Sequence, residues 1–68
     1  MEIFGERLKK IRTDRQLSMS ELAKRIGTSQ QNVSRWEVGE TMPTGETLIM
    51  LSKFLKVSTD FLLGLKED

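Results

Sequence analysis

The stretch Ser18-Met19-Ser20-Glu21-Leu22-Ala23-Lys24-Arg25-Ile26-Gly27-Thr28-Ser29-Gln30-Gln31-Asn32-Val33-Ser34-Arg35-Trp36-Glu37-Val38 decides how this chain folds. Ser18 and Glu21 are the two ends of a capping box. The serine hydroxyl accepts an orphan N–H of the first turn, and the glutamate reaches back toward the serine. Leu22, Ala23 and Ile26 then recur at helical spacing and supply a buried face. Gly27 ends the helix, because the residue after a helix often turns left-handed and glycine does so without steric cost. Ser29 is a good N-cap for the next helix, which runs from Gln30 to about Glu37 and is closed by Gly39. Its apolar face is only Val33 and Trp36. Two helices of about eight residues joined across Gly27-Thr28-Ser29 must cross steeply and closely. Small Ala23 suits the point where the backbones approach.

Outward from this unit the same periodicity continues. Phe4, Leu8 and Ile11 make one stripe of a helix from about Ile3 to Asp14, with Arg7, Lys9, Lys10 and Arg15 mostly off it. After a loop from Gly39 to Thr44, which holds the only proline, Pro43, a fourth helix spans about Gly45 to Lys56. It carries Leu48, Ile49, Met50, Leu51, Phe54 and Leu55, apolar nearly all round, which is the mark of a buried helix. Ser58 can cap a last short helix containing Phe61, Leu62 and Leu63, stopped by Gly64. Gly and Pro are sparse and are read as falling at element boundaries. Such short junctions leave no room for strands. The expected fold is all-α: five helices in one domain over residues 1–68, with Leu48, Leu51 and Leu55 at its centre.

Composition narrows the function classes. At 68 residues the chain forms one small domain, which buries only about 60% of the surface its unfolded chain exposes. It has no Cys and no His, so no disulfide, no metal site and no cofactor are expected, and helix packing must supply the stability. No apolar run approaches the ~20 residues that cross a bilayer. The first six residues, Met1-Glu2-Ile3-Phe4-Gly5-Glu6, lack the layout of a signal peptide. The expectation is a soluble, cytoplasmic protein without membrane contact. With neither His nor Cys, no glycine-rich phosphate loop and no convergent carboxylates, an enzyme with a small-molecule substrate is not expected.

The net charge is +1, but it is unevenly spread. Residues 1–35 hold eight Lys/Arg against four Asp/Glu, whereas residues 36–68 hold three against six. A basic first half fits an electrostatic footprint for phosphates. It fits an ordinary solvated helix surface equally in kind, and on charge alone the latter is commoner. The third helix is more specific. On a helical wheel Gln30, Gln31, Ser34 and Arg35 share one side, away from Val33 and Trp36. All four can donate hydrogen bonds. Gln can pair bidentately with adenine, and Arg with guanine or a phosphate.

In the order in which they occur, these features resemble the Cro/cI-type helix-turn-helix family (the XRE family) of phage and bacterial regulators. The resemblance covers about Phe4 to Gly64. It is carried by LSMSELAKRIGTSQQNVSRWEVGETMP, residues 17–43, and LSKFLKVSTDFLLG, residues 51–64. Ala23, Gly27, Val33 and Trp36 stand at the small, glycine and apolar positions of the family pattern. The resemblance implies base-reading roles for Gln30, Gln31, Ser34 and Arg35. It implies DNA-backbone roles for Ser20, Ser29, Asn32, Thr41 and Thr44. It also matches Arg12 and Glu37 to a structural salt bridge between the first and third helices. Two positions depart from the pattern. Family members often carry Gln at Met19, where it bonds a phosphate; Met19 is read instead as a gap-filling apolar contact. The loop after the third helix is commonly basic, but here Glu40 repels phosphates.

The expected function is therefore sequence-specific binding of double-stranded DNA by a transcriptional regulator, a repressor. The third helix enters the major groove, while the start of the second helix and Thr41–Thr44 grip the backbone. Two copies would bind half-sites about 34–36 Å apart on a near-palindromic operator. The homodimer contact is expected near the C-terminal helix, with Leu65 a candidate. The alternative is an antitoxin-like or regulatory module whose main partner is a protein, met through Leu63, Leu65 and their surroundings. The sequence ends Leu65-Lys66-Glu67-Asp68, which reads as a tail or a linker.

Overall fold

The computed structural model describes residues 2–67. Five helices follow one another: α1 (Glu2–Asp14), α2 (Met19–Ile26), α3 (Gln30–Glu37), α4 (Gly45–Leu55) and α5 (Thr59–Leu62). There are no strands among the described residues. A hydroxyl starts each of the last four helices. Ser18, Ser29, Thr44 and Ser58 are N-caps whose side chains accept the backbone N–H three residues on. Each such cap satisfies one of the four donors that a helix start leaves unpaired.

The cap of α2 is the full capping box. Glu21 N–H donates to Ser18 Oγ at 3.0 Å, and Ser18 N–H donates to Glu21 Oε1 at 2.7 Å. The backbone hydrogen bond from Ser18, then its side chain, hold the Glu21 carboxyl below its ordinary range. The stability linked to this group is present above the ordinary glutamate pKa and is lost as pH falls through the lowered one. An NMR titration should place Glu21 below 4.5, the ordinary value. Ser18→Ala should move it only part of the way back, since the Ser18 N–H remains, and should cost about 1 kcal/mol of stability through the lost cap.

The apolar stripes converge on one core: Phe4 and Leu8 from α1, Leu22, Ala23 and Ile26 from α2, Val33 and Trp36 from α3, Leu51 and Leu55 from α4, and Leu62 from α5. Fully burying an aliphatic or aromatic side chain contributes roughly 1.5–3 kcal/mol, so these ten residues are the main stabilising element. Two expectations need correction. Helix α4 is not buried all round, because Leu48 is half-buried while Ile49 and Met50 are exposed. It lies on α2 and α5 and shows its remaining face to solvent. Glycine is not confined to boundaries either, because Gly5 sits inside α1.

Candidate nucleic-acid interface

Helix α3 is gripped at its C-terminal end. Arg12 of α1 meets Glu37 with two parallel hydrogen bonds, Nε to Oε2 at 2.6 Å and Nη2 to Oε1 at 2.9 Å. Its Nη1 donates to the Leu17 carbonyl at 2.8 Å. The side chains are only 11% and 5% exposed. The hydrogen bond to Glu37 raises the Arg12 pKa, outweighing the opposite effect of burial, so the guanidinium stays charged. Gly5 is the second grip. A Cβ at Gly5 would lie 2.5 Å from the carbonyl oxygens of both Trp36 and Glu37, so only glycine allows α1 to pass this close.

Fixed there and along Val33 and Trp36, α3 presents its other face. Gln30, Gln31 and Arg35 are exposed and Ser34 is half-buried. The four side chains line one shallow groove of about 290 Å³. The residues grouped on the helical wheel thus lie together on the folded surface.

The residues assigned to DNA-backbone contact are more varied. Ser20 is exposed in the first turn of α2. Ser29 is occupied as the cap of α3, accepting from Asn32 N–H at 3.2 Å. The Asn32 side chain is turned into the α2–α3 junction, where Nδ2 donates to Thr28 Oγ1 at 2.9 Å. Thr41 is exposed in the loop. Thr44 caps α4, and its hydroxyl also donates to Thr47 Oγ1 at 3.2 Å. Met19 is half-buried against the core, as its reading as a gap-filler requires.

Half of the basic residues in the first half make contacts to other helices. Arg7 donates to the carbonyls of Phe61 at 2.5 Å and Lys66 at 2.7 Å, and its guanidinium lies 4.3 Å from the Phe61 ring centre. Arg15 donates to the Leu55 carbonyl at the end of α4. Arg25 stands over the Phe54 ring at 5.7 Å. With Arg12, four of the eight basic residues before Trp36 therefore tie helices to one another. The charge asymmetry is in large part a framework feature. Sequence periodicity held a signal for this. Arg7 and Arg15 lie four residues either side of half-buried Ile11, and Gly5, Leu8 and Arg12 share one helical face. Leu63 is half-buried against the core, whereas Leu65 is 74% exposed.

The family profile described as Helix-turn-helix matches residues 8–62. The chain belongs to the XRE-type helix-turn-helix family. Among curated members of this helix-turn-helix family, the YonR regulator from the SPbeta prophage of Bacillus subtilis is 46% identical over 61 residues, covering 90% of this chain and 56% of YonR. Repressor protein C2 of Salmonella phage P22 is 40% identical over 62 residues, covering 91% of this chain and 29% of C2. The chain thus spans about half or less of the length of these two relatives. The crystal structure of the P22 C2 repressor with a synthetic operator superposes with a TM-score of 0.86 at 39% identity, covering 91% of this chain and 94% of that one. The biofilm regulator SinR of Bacillus subtilis, in complex with DNA, superposes at 0.80 with 34% identity, covering 88% of this chain and 97% of that one. The helix-turn-helix unit of this chain is α2, the junction Gly27–Ser29 and α3.

Proposed function

We propose that this domain binds double-stranded DNA sequence-specifically and regulates transcription, acting as a repressor. The observation that carries this reading is the groove on α3, in which Gln30, Gln31, Ser34 and Arg35 stand together on a helix anchored from behind. Such a helix fits the major groove, where N-terminal residues of the second helix meet base edges. Gln30 and Gln31 read A·T pairs by bidentate bonds to adenine N6 and N7, and Arg35 faces a guanine or a phosphate. That relatives were solved with operator or other DNA supports the DNA-binding reading.

The backbone grip comes from Ser20, Thr41 and Thr44 and from helix starts. By helix geometry the N–H groups of Met19 and Ser20 have no intrahelical acceptor and can meet a phosphate. With Arg7, Arg12, Arg15 and Arg25 engaged internally, half of the basic residues before Trp36, namely Lys9, Lys10, Lys24 and Arg35, are left for phosphates. One copy then binds weakly, and a homodimer on a near-palindromic operator supplies the missing affinity. Exposed Leu65 belongs to the surface available for that contact. The protein acts in the bacterial cytoplasm as a binding module without catalysis of its own.

Selection of bound duplexes from a random pool tests this directly. It should return a two-fold symmetric site with half-sites one helical turn apart. Gln30→Ala and Gln31→Ala should each lose about 1–3 kcal/mol of base discrimination. If both variants keep the wild-type preference, the groove on α3 is not the reading surface.

A further inference from the structure

Arg35 has a carboxylate beside it. Its Nε lies 3.7 Å from Glu40 Oε1, with the two side chains 55% and 65% exposed. Backbone geometry sets this pairing up. Gly39, at φ +83°, turns the chain back after α3. The Glu40 N–H then donates to the Arg35 carbonyl at 2.9 Å, and Thr41 N–H reaches the same oxygen at 3.4 Å. Glu40 is therefore held next to the residue whose side chain it meets, at the rim of the α3 groove.

A guanidinium alone attracts any phosphate. With a carboxylate alongside, a phosphate meets like charge, while a neutral base edge does not. Pairing at Nε leaves the Nη1–Nη2 edge of the planar fork able to donate two bonds, as recognition of guanine O6 and N7 requires. We propose that Glu40 is a specificity-determining residue: it keeps Arg35 off the phosphate backbone and directs it to a base edge. This inference rests on the DNA-binding reading above and resolves its open choice between a guanine and a phosphate for Arg35.

The test measures binding of the full chain to the selected duplex, to its single-position variants and to a scrambled duplex, across a salt series. Glu40→Gln, Arg35→Ala and the double variant are compared with wild type. Both side chains are exposed, so neither substitution touches the core. Glu40→Gln should bind the scrambled duplex about two- to fivefold more tightly, the range of an exposed ion pair. Its salt slope should steepen by about 0.9, one further phosphate. It should lose preference at the same base position that Arg35→Ala loses, and in the Arg35→Ala background it should leave base preference unaltered. The inference is overturned if Glu40→Gln tightens every duplex equally with all preferences intact, or changes nothing. A wild type that binds selected and scrambled duplexes alike overturns the DNA-reading function itself, and this inference with it.

Discussion

Glu37→Ala is expected to destabilise the domain by about 3–5 kcal/mol, because it strands the Arg12 guanidinium in a nearly closed site. Arg12 has only 11% of its side chain exposed, and two of its three hydrogen-bond acceptors belong to Glu37. Water cannot readily replace them. Arg12→Ala should cost a similar amount, since Glu37 is the more buried partner and would lose both donors. The double replacement Arg12→Met with Glu37→Leu should cost far less than the two single changes together. A buried ion pair exchanged for apolar groups of similar size is often near neutral. Urea unfolding at low temperature gives all three values. Total stability of a domain this small lies near the lower end of about 5–15 kcal/mol, so either single variant should be largely unfolded when warm. If the single changes each cost less than about 1 kcal/mol, the pair is solvated and does not hold α3.

Gly5→Ala should lower stability by about 3 kcal/mol or more and the melting temperature by more than ~12 °C. In a solvent-exposed helix the same change would stabilise by roughly 0.8–1 kcal/mol, because alanine is the better helix former. Here the added methyl would meet the carbonyl oxygens of Trp36 and Glu37 at 2.5 Å. Those are backbone atoms, so relief requires α1 and α3 to separate, and this loosens the Arg12–Glu37 fork as well. Gly27→Ala is the informative contrast. Nothing lies within 4 Å of a Cβ there, but its φ is +75°. It should cost only about 1–2 kcal/mol, the backbone penalty of a left-handed residue with a side chain. Thermal unfolding of the two variants compares a glycine kept for space with one kept for conformation. A melting temperature that rises for Gly5→Ala would show that the helices are not in contact there.

Both predictions bear on the reading surface, because α3 is useful only if its exposed face is held still. The fork and the glycine contact act at its C-terminal end, and Val33 and Trp36 act along its inner side. Gln30 and Gln31, at the other end, are free to face a partner. The surface is built on a helix whose support comes from α1 and α2.

The candidate site was legible in the sequence because its signals are local. A capping serine, a stopping glycine and a stripe of apolar residues each act within about one helical turn, so they could be read without knowing the fold. The same holds for the face shared by Gln30, Gln31, Ser34 and Arg35. The Arg12–Glu37 bridge was implied by the family resemblance, but the partners of the other long basic side chains were not legible. Arg15 finds an acceptor 40 positions away and Arg7 one 54 away. Basic residues that look like a phosphate-binding surface in one dimension become links between helices in three. Helix α4 is the complementary case: its apolar content implied burial on every side, but α2 and α5 cover only part of it, and Ile49 and Met50 stay outside.

The sequence by itself determined that this protein has five helices, where they start and stop, and which residues of the third share its outer face. Caps, stops and periodicity depend only on near neighbours along the chain. Tertiary structure alone decided that Gly5 is a contact point, that Arg7, Arg15 and Arg25 join Arg12 in the framework, and that Arg35 has Glu40 at its side. Free space and charge pairing are set by segments that meet only when the chain has folded.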